Sequence, residues 1–231
     1  PAELIIEAGA ATPVAEIETA LAGKGQQLAF EPPASGTIGG AVACNVSGPR
    51  RIKAGALRDH LLGVSGASGR GEIFKAGSRV VKNVTGYDLP KLMAGSFGTL
   101  AVLTSVTLKV TPRPEASLTL RVKTPTAQAA VRAMSDALQS PLEVSAAAFV
   151  PDDGTYLRLE GFAASVAFRA KRLAEICPGT EESAGSIWDA MSSGPAGACL
   201  WRVSLPPMAA AAYLDALRTR LDFDYRLDWG G

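Results

Sequence analysis

Apolar positions along this chain alternate between two periods. Leu4-Ile5-Ile6 begins as a strand. Val14, Ile17 and Leu21 then recur at helical spacing, with Thr12 placed to cap, Pro13 in the first helical position and Gly23 or Gly25 to stop. A second short helix is expected from Thr37 to Val46, opened by Thr37. Its Gly39-Gly40 pair costs about 1 kcal/mol of helix propensity per glycine, which implies close packing against that backbone. Leu57–Gly66 and Glu72–Ala76 read as paired strands joined by Ser68-Gly69-Arg70-Gly71, and the β-branched run Thr99–Val110 reads as a central strand. Val81–Asp88 leads into a short helix with Asp88 as its cap.

From Ser117 onward the pattern becomes strand, helix, two strands, helix. Leu118–Lys123 alternates; Ala130, Val131, Met134 and Leu138 form the inner face of a helix over Thr126–Leu138. Val144–Phe149 and Tyr156–Glu160 flank a turn at Pro151-Asp152-Asp153-Gly154, and Phe162–Ile176 is helical. Strands follow at Leu200–Leu205 and Asp224–Leu227, with a helix over Met208–Leu221 between them. This order suits a ferredoxin-like antiparallel sheet with helices on one face. Sixteen of the 24 glycines precede Ser117, and Thr111-Pro112-Arg113-Pro114-Glu115 marks the boundary. The expected class is α+β, with domains over residues 1–114 and 115–231.

With 231 residues, 47% hydrophobic and 19% charged, the chain can bury a sizeable core. A net charge of +1 gives no support to nucleic-acid binding. No apolar run reaches the length of a membrane span. Cys44, Cys177 and Cys199 share no CxxC spacing, so neither zinc nor an iron–sulfur ligand set is readable, and no metal site is expected. Scattered cysteines of odd number fit reduced thiols in a cytoplasm.

Two glycine-dense loops carry the candidate chemistry. The first runs from Pro33 through Ser35, Gly36, Thr37, Gly39 and Gly40 to Cys44, Asn45, Ser47 and Gly48; the second is Gly95-Ser96-Phe97-Gly98-Thr99-Leu100-Ala101-Val102. Glycine lets backbone amides approach a ligand without a Cβ in the way, and such amides suit phosphate. Tight packing of small residues, or a turn feeding a buried strand, would also use them. Arg58-Asp59 reads as an ion pair where a strand starts, and His60 is the sole histidine. Arg50, Arg51 and Lys53 form a basic run that is either a solvated loop, a cation for a substrate carboxylate or a docking point for another subunit. Lys82, Asn83 and Tyr87 stand at a capped helix start, a ligand edge or a subunit interface. No residue is identified as a catalytic base.

The linear order of these pieces resembles the FAD-binding domain of the p-cresol methylhydroxylase and vanillyl-alcohol oxidase type. Ser47-Gly48-Pro49-Arg50-Arg51 and Lys82-Asn83-Val84-Thr85-Gly86-Tyr87-Asp88 resemble, within it, the FAD-binding subunit of bacterial glycolate oxidase. Phe97 stands where many relatives carry an acidic residue, which leans toward that branch. The resemblance implies the second part of the FAD domain over residues 1–114 and a partial cap domain over 115–231. It implies FAD held non-covalently by Pro33, Ser35, Gly36, Thr37, Gly39, Gly40, Cys44, Asn45, Ser47, Gly48, Gly95, Gly98 and Val102, with Arg50 and Arg51 toward a substrate. It further implies oxidation of glycolate to glyoxylate or, as alternatives, of D-lactate or another 2-hydroxy acid; a flavin-free scaffold is the reading of another class. Electrons would pass to an iron–sulfur partner subunit, and any membrane association would be peripheral, through the complex. Pro1 leads straight into a strand-like run, and the ending at Gly231 falls in a strand or turn. The expectation is therefore a piece of a longer chain, lacking the subdomain with the pyrophosphate loop and purified without FAD.

Overall fold

The structure is a computed structural model that describes residues 3–77, 87–193 and 199–231, the side chain of Ser193 excepted. Lys82 and Asn83 lie outside the described residues. The chain divides into two compact units. Pro1–Gly48 with Ala54–Arg113 form unit 1, and Pro49–Lys53 with Pro114–Gly231 form unit 2.

Unit 1 is built on four antiparallel strands: β1 (Ile5–Gly9), β3 (Leu61–Ser68), β4 (Ile73–Gly77) and β5 (Ala101–Lys109), in the order β1-β5-β3-β4. A short ladder pairs β2 (Gln26–Gln27) with β6 (Thr111–Pro112). The helices are α1 (Val14–Ala22), α2 (Ile38–Cys44), α3 (Arg51–Ala54, of which all but Ala54 falls in unit 2), α4 (Leu57–His60) and α5 (Leu89–Met93). Thr99–Val110 was expected as a central strand, and β5 is one, flanked by β1 and β3. The core joins Val14, Ile17 and Leu21 of α1, Ile38 and Val42 of α2 and Leu57 of α4 to Val64, Val106 and Leu108 of the sheet. Two boundaries differ from expectation. Pro13 stands at the N-cap of α1 rather than inside it, since its ψ of 139° is not helical. The strand expected from Leu57 starts at Leu61, because Asp59 turns its carboxylate onto the Ala56 amide, 2.9 Å away, and closes a helical turn. No Arg58–Asp59 ion pair forms among the described residues.

Unit 2 carries five antiparallel strands: β7 (Ala116–Val122), β8 (Ala146–Val150), β9 (Gly154–Gly161), β10 (Thr180–Ser183) and β11 (Leu227–Asp228), in the order β10-β7-β9-β8-β11. With α6 (Ala127–Gln139) after β7 and α7 (Ala163–Ile176) after β9, β7 to β10 form the ferredoxin-like βαββαβ unit. Its closing strand is Thr180–Ser183, not Leu200–Leu205, which forms no strand and leaves Leu200, Trp201 and Val203 exposed. The final strand is Leu227–Asp228 rather than Asp224–Leu227.

One face of this sheet, with Leu120, Phe149, Leu157 and Leu159, packs under α6, α7 and α9 (Ala210–Arg218) through Met134, Leu173 and Leu214. The other face is covered too. Trp188 and Met191 of α8 (Ile187–Ser193) lie on Ala146, Ala148 and Tyr156. Helices therefore sit on both faces, which is why β8 is buried at four successive positions instead of alternating. Leu157 is fully buried on the central strand β9. Leu157→Ala should lower stability by about 2–5 kcal/mol, the range for a cavity of that size in a core. Urea unfolding followed by tryptophan fluorescence measures it, and a loss under 1 kcal/mol would show that the core closes over the gap.

Candidate functional site

The first glycine loop is shaped by how closely α2 approaches the β1–α1 turn. Thr37 caps α2, its hydroxyl accepting from the Gly40 amide at 3.2 Å. The Ile38 amide donates to Thr12 O at 2.9 Å and the Gly39 amide to Ala10 O at 2.8 Å. A Cβ on residue 39 would fall 2.7 Å from the Ala10 Cβ and 2.8 Å from its carbonyl oxygen, so only glycine fits. The expectation that Gly39 and Gly40 help hold FAD is corrected as far as their amides go. Those of Ile38, Gly39 and Gly40 already have partners, and valine at 39 cannot leave the fold intact. The amides of Ser35, Gly36 and Thr37 have no acceptor among the described residues, and all three residues are exposed. Gly36 sits at φ +85°, with open space where a Cβ would be. Pro33 is half-buried at the approach.

The far end of α2 gathers the second loop. Asn45 ends the helix in the left-handed region, φ 49°, and its Oδ1 accepts from the Arg58 amide at 3.1 Å. Ser47 is buried, its hydroxyl accepting from the Leu57 amide at 3.1 Å, and the Gly48 amide donates to Phe30 O at 2.8 Å. These three hold the loop's own shape. The Gly95 amide donates to Val42 O at 3.1 Å, and the Phe97 amide to Ala43 O at 2.8 Å. The two loops are thus sewn together along the last turn of α2. Gly40, Cys44, Phe97, Gly98 and Val102 remain exposed around this seam. Val102 shares a cross-strand row with Ala67 and Ile73, and Ile73 is 81% exposed. Ser35, Gly36, Thr37 and Gly98 can offer backbone to a ligand; Phe97, Val102 and Ile73 can offer apolar contact. His60 is enclosed, its Nε2 donating to Ala54 O at 2.9 Å and its ring tilted against Phe30.

Arg50 and Arg51 belong to unit 2. Arg50 grips Glu160 with Nε and Nη2 at 3.0 and 2.9 Å, and Arg158 Nε lies 3.5 Å from the same carboxylate. Burial raises the Glu160 pKa, but the hydrogen bonds and charge of Arg50, helped by Arg158, hold it below the ordinary glutamate value. Arg158 in turn lies over the Trp188 ring. The expected substrate cation at position 50 is therefore already bound to a carboxylate of its own chain. Reading the sequence missed Glu160 and Arg158. The available signal was Tyr156, Arg158 and Glu160 at a period of two on one strand, which is unusual for a central strand. Among the described residues no cluster of His, Cys, Asp and Glu could hold a metal ion. No helix there is long and apolar enough to cross a membrane.

A family model described as an FAD binding domain matches residues 1–77. The chain is 40% identical to glycolate oxidase subunit GlcE of Escherichia coli (strain K12) over 239 aligned residues, covering all of this chain and 64% of that protein. It is 35% identical over 127 residues to glycolate oxidase subunit GlcD of Bacillus subtilis (strain 168), covering 55% of this chain and 27% of that one. A D-lactate dehydrogenase of Anaerostipes hadrus is 44% identical over 84 residues, 36% of this chain and 18% of its own. A solved alkyldihydroxyacetonephosphate synthase superposes with a TM-score of 0.67 at 18% identity, over 83% of this chain and 42% of the other. That likeness shows the fold: α+β, of the p-cresol methylhydroxylase type. The chain spans under two thirds of the length of the relatives it matches.

FAD is the cofactor of this domain, and the residues present fit it. Three adjacent amides without acceptors, at a glycine with open space above it, are suited to anionic oxygens. The exposed apolar residues along the seam are suited to ring surface.

Two measurements check this description. Gly39→Ala should cost about 1–3 kcal/mol by overpacking, whereas Gly40→Ala should change stability by less than about 1 kcal/mol. Equal melting temperatures for the two variants would contradict the close approach to Ala10. For Glu160, the folded pKa is lowered, so its stabilising contribution is complete above the unfolded value near about 4.3 and is lost as pH falls through the folded one. Glu160→Gln should cost about 3–5 kcal/mol at neutral pH. It should also flatten the loss of stability between about pH 5 and 3. Thermal melts across that range decide, and parallel curves for the two proteins would refute the pairing.

Proposed function

We propose that this chain is the FAD-binding subunit of a glycolate oxidase that converts glycolate to glyoxylate. The observation that carries the proposal is the likeness to GlcE, which extends over the whole chain and not over the FAD domain alone. Unit 1 would hold the cofactor through the amides of Ser35–Thr37 and the backbone at Gly98, with the apolar seam shielding it from water. When bound, FAD supplies an acceptor for the hydride that leaves the α-carbon of a 2-hydroxy acid. The three cysteines are too few and too scattered to ligate an iron–sulfur cluster, which favours a separate partner subunit as the carrier of such clusters. The names of GlcE and GlcD, both subunits, support an assembly of that kind.

A second reading is supported by the D-lactate dehydrogenase likeness, whose identity is higher although its span is short. The difference between the readings is one methyl group on the substrate's α-carbon. A pocket discriminates a methyl by only about 1–3 kcal/mol, or roughly 10–200-fold in kcat/KM.

The full-length protein with its partner subunit should carry flavin and reduce an electron-accepting dye with glycolate at a higher kcat/KM than with D-lactate. The isolated subunit should do so much more slowly than the complex. A preference for D-lactate selects the second reading. Absence of flavin from the full-length protein would refute both and leave a scaffold.

A further inference from the structure

Most guanidiniums around the unit 2 sheet end on an oxygen. Arg121 reaches Glu181 and Asp153, Arg172 reaches Glu175, and Arg50 and Arg158 share Glu160. Arg51 and Arg202 lie instead over an aromatic ring, with Arg202 also in a long ion pair to Asp228. The Cζ of Arg51 lies 4.5 Å from the centroid of the Trp229 ring, and that of Arg202 4.2 Å from it. Neither guanidinium donates a hydrogen bond to another described residue. The nearest carboxylate oxygen, Asp228 Oδ2, is 3.9 Å from Arg202 Nη2.

The three side chains come from distant stretches, and two are firmly placed. Arg51 opens α3, whose next residue, Ile52, packs against the core under the sheet. Trp229 directly follows β11. Its amide donates to Asp228 Oδ1 at 2.8 Å, and the Gly230 amide donates to Ala147 O at 3.3 Å. Arg202 arrives from the segment between α8 and α9, with its side chain 57% exposed.

A guanidinium lying on an indole is attracted to the ring's electron-rich face and is held in one plane. Its N–H groups lie in that plane, so stacking leaves the hydrogen-bonding edge open while removing much of the rotamer freedom that binding would otherwise remove. That edge matches a carboxylate in a two-point fork. Charge favours the same ligand. Arg51 and Arg202 bring two positive charges to one ring, with the Asp228 carboxylate oxygen 3.9 Å from Arg202.

We propose that Arg51 and Arg202, held on Trp229, form a carboxylate-binding site, and that its ligand is a small 2-hydroxy acid. The choice of 2-hydroxy acid rests on the function proposed above, while the site rests on the side-chain geometry. Arg50, next in sequence, is not part of it, because Glu160 already fills its fork.

The test is a titration of the full-length protein, with the Trp229 indole N–H followed by NMR and assigned by its loss in Trp229→Phe. Sodium glycolate is added in one arm, sodium chloride at matched ionic strength in a second and inorganic phosphate in a third. Glycolate should give a saturable shift and chloride none. Arg51→Gln and Arg202→Gln should each weaken glycolate about tenfold or more, the scale of a lost charge-assisted fork. Arg172→Gln should leave affinity unchanged. Arg202→Lys, which keeps charge but lacks the fork, should fall between wild type and Arg202→Gln and guards against a variant that merely misfolds. Absence of a saturable shift, or wild-type affinity in both glutamine variants, overturns the site; phosphate binding as tightly as glycolate overturns the ligand class. Protein that oxidises glycolate without a Trp229 shift sinks this inference alone. A saturable shift in flavin-loaded protein that turns over no 2-hydroxy acid sinks the functional reading alone.

Discussion

The hydrogen bond from the Gly39 amide to the Ala10 carbonyl sets the distance between α2 and the β1–α1 turn, and the candidate cofactor surface depends on that distance. With helix and turn this close, Thr12 and Ala10 take up the amides of Ile38 and Gly39. Those one step earlier, Ser35 to Thr37, are left outside the helix and without acceptors. At the other end of α2, the carbonyls of Val42, which also accepts from the Asn45 amide, and Ala43 receive Gly95 and Phe97. A seven-residue helix thus presents open donors at one end and fastens a second loop at the other. Any side chain at 39 would push α2 outward and shift both ends together.

The elements whose signal lies in their own residues were legible. Val14, Ile17 and Leu21 define α1 by spacing, Thr37 marks the start of α2, and Thr99–Val110 contains the central strand β5. The ferredoxin-like order was legible for the same reason, up to its last strand. There the signal misled. Leu200–Leu205 has the composition of a strand but finds no neighbour, while Thr-Glu-Glu-Ser at 180–183 has almost none of it and pairs along the open edge of β7. An edge strand with one face toward water needs backbone partners more than apolar side chains. Strand propensity cannot tell which segment reaches that edge.

The site shows the same division. Glycine-rich loops announce that backbone comes close to something, but not whether that something is a ligand or the chain itself. Gly36 and Gly39 look alike in sequence, yet one faces open space and the other Ala10. Arg50 and Arg51 look alike as well. Their fates diverge because Glu160 lies 110 residues from one and Trp229 stacks on the other, pairings that no local pattern contains.

The membership of Pro49–Lys53 in unit 2 has a consequence for how the chain reaches this structure. The sheet of unit 2 begins at Ala116, yet Ile52 packs against its core and Arg50 neutralises Glu160 within it. A polypeptide cut at Arg113 would separate unit 2 from five of its own residues and take Arg50 away from the buried Glu160 carboxylate, with Arg158 still beside it. During folding, the ion pair must close a loop of more than 100 residues, an entropic cost that grows slowly with length but delays such contacts. The two units are distinct as compact bodies but not as stretches of gene, and exchange of either one between relatives would have to carry this inserted segment with it.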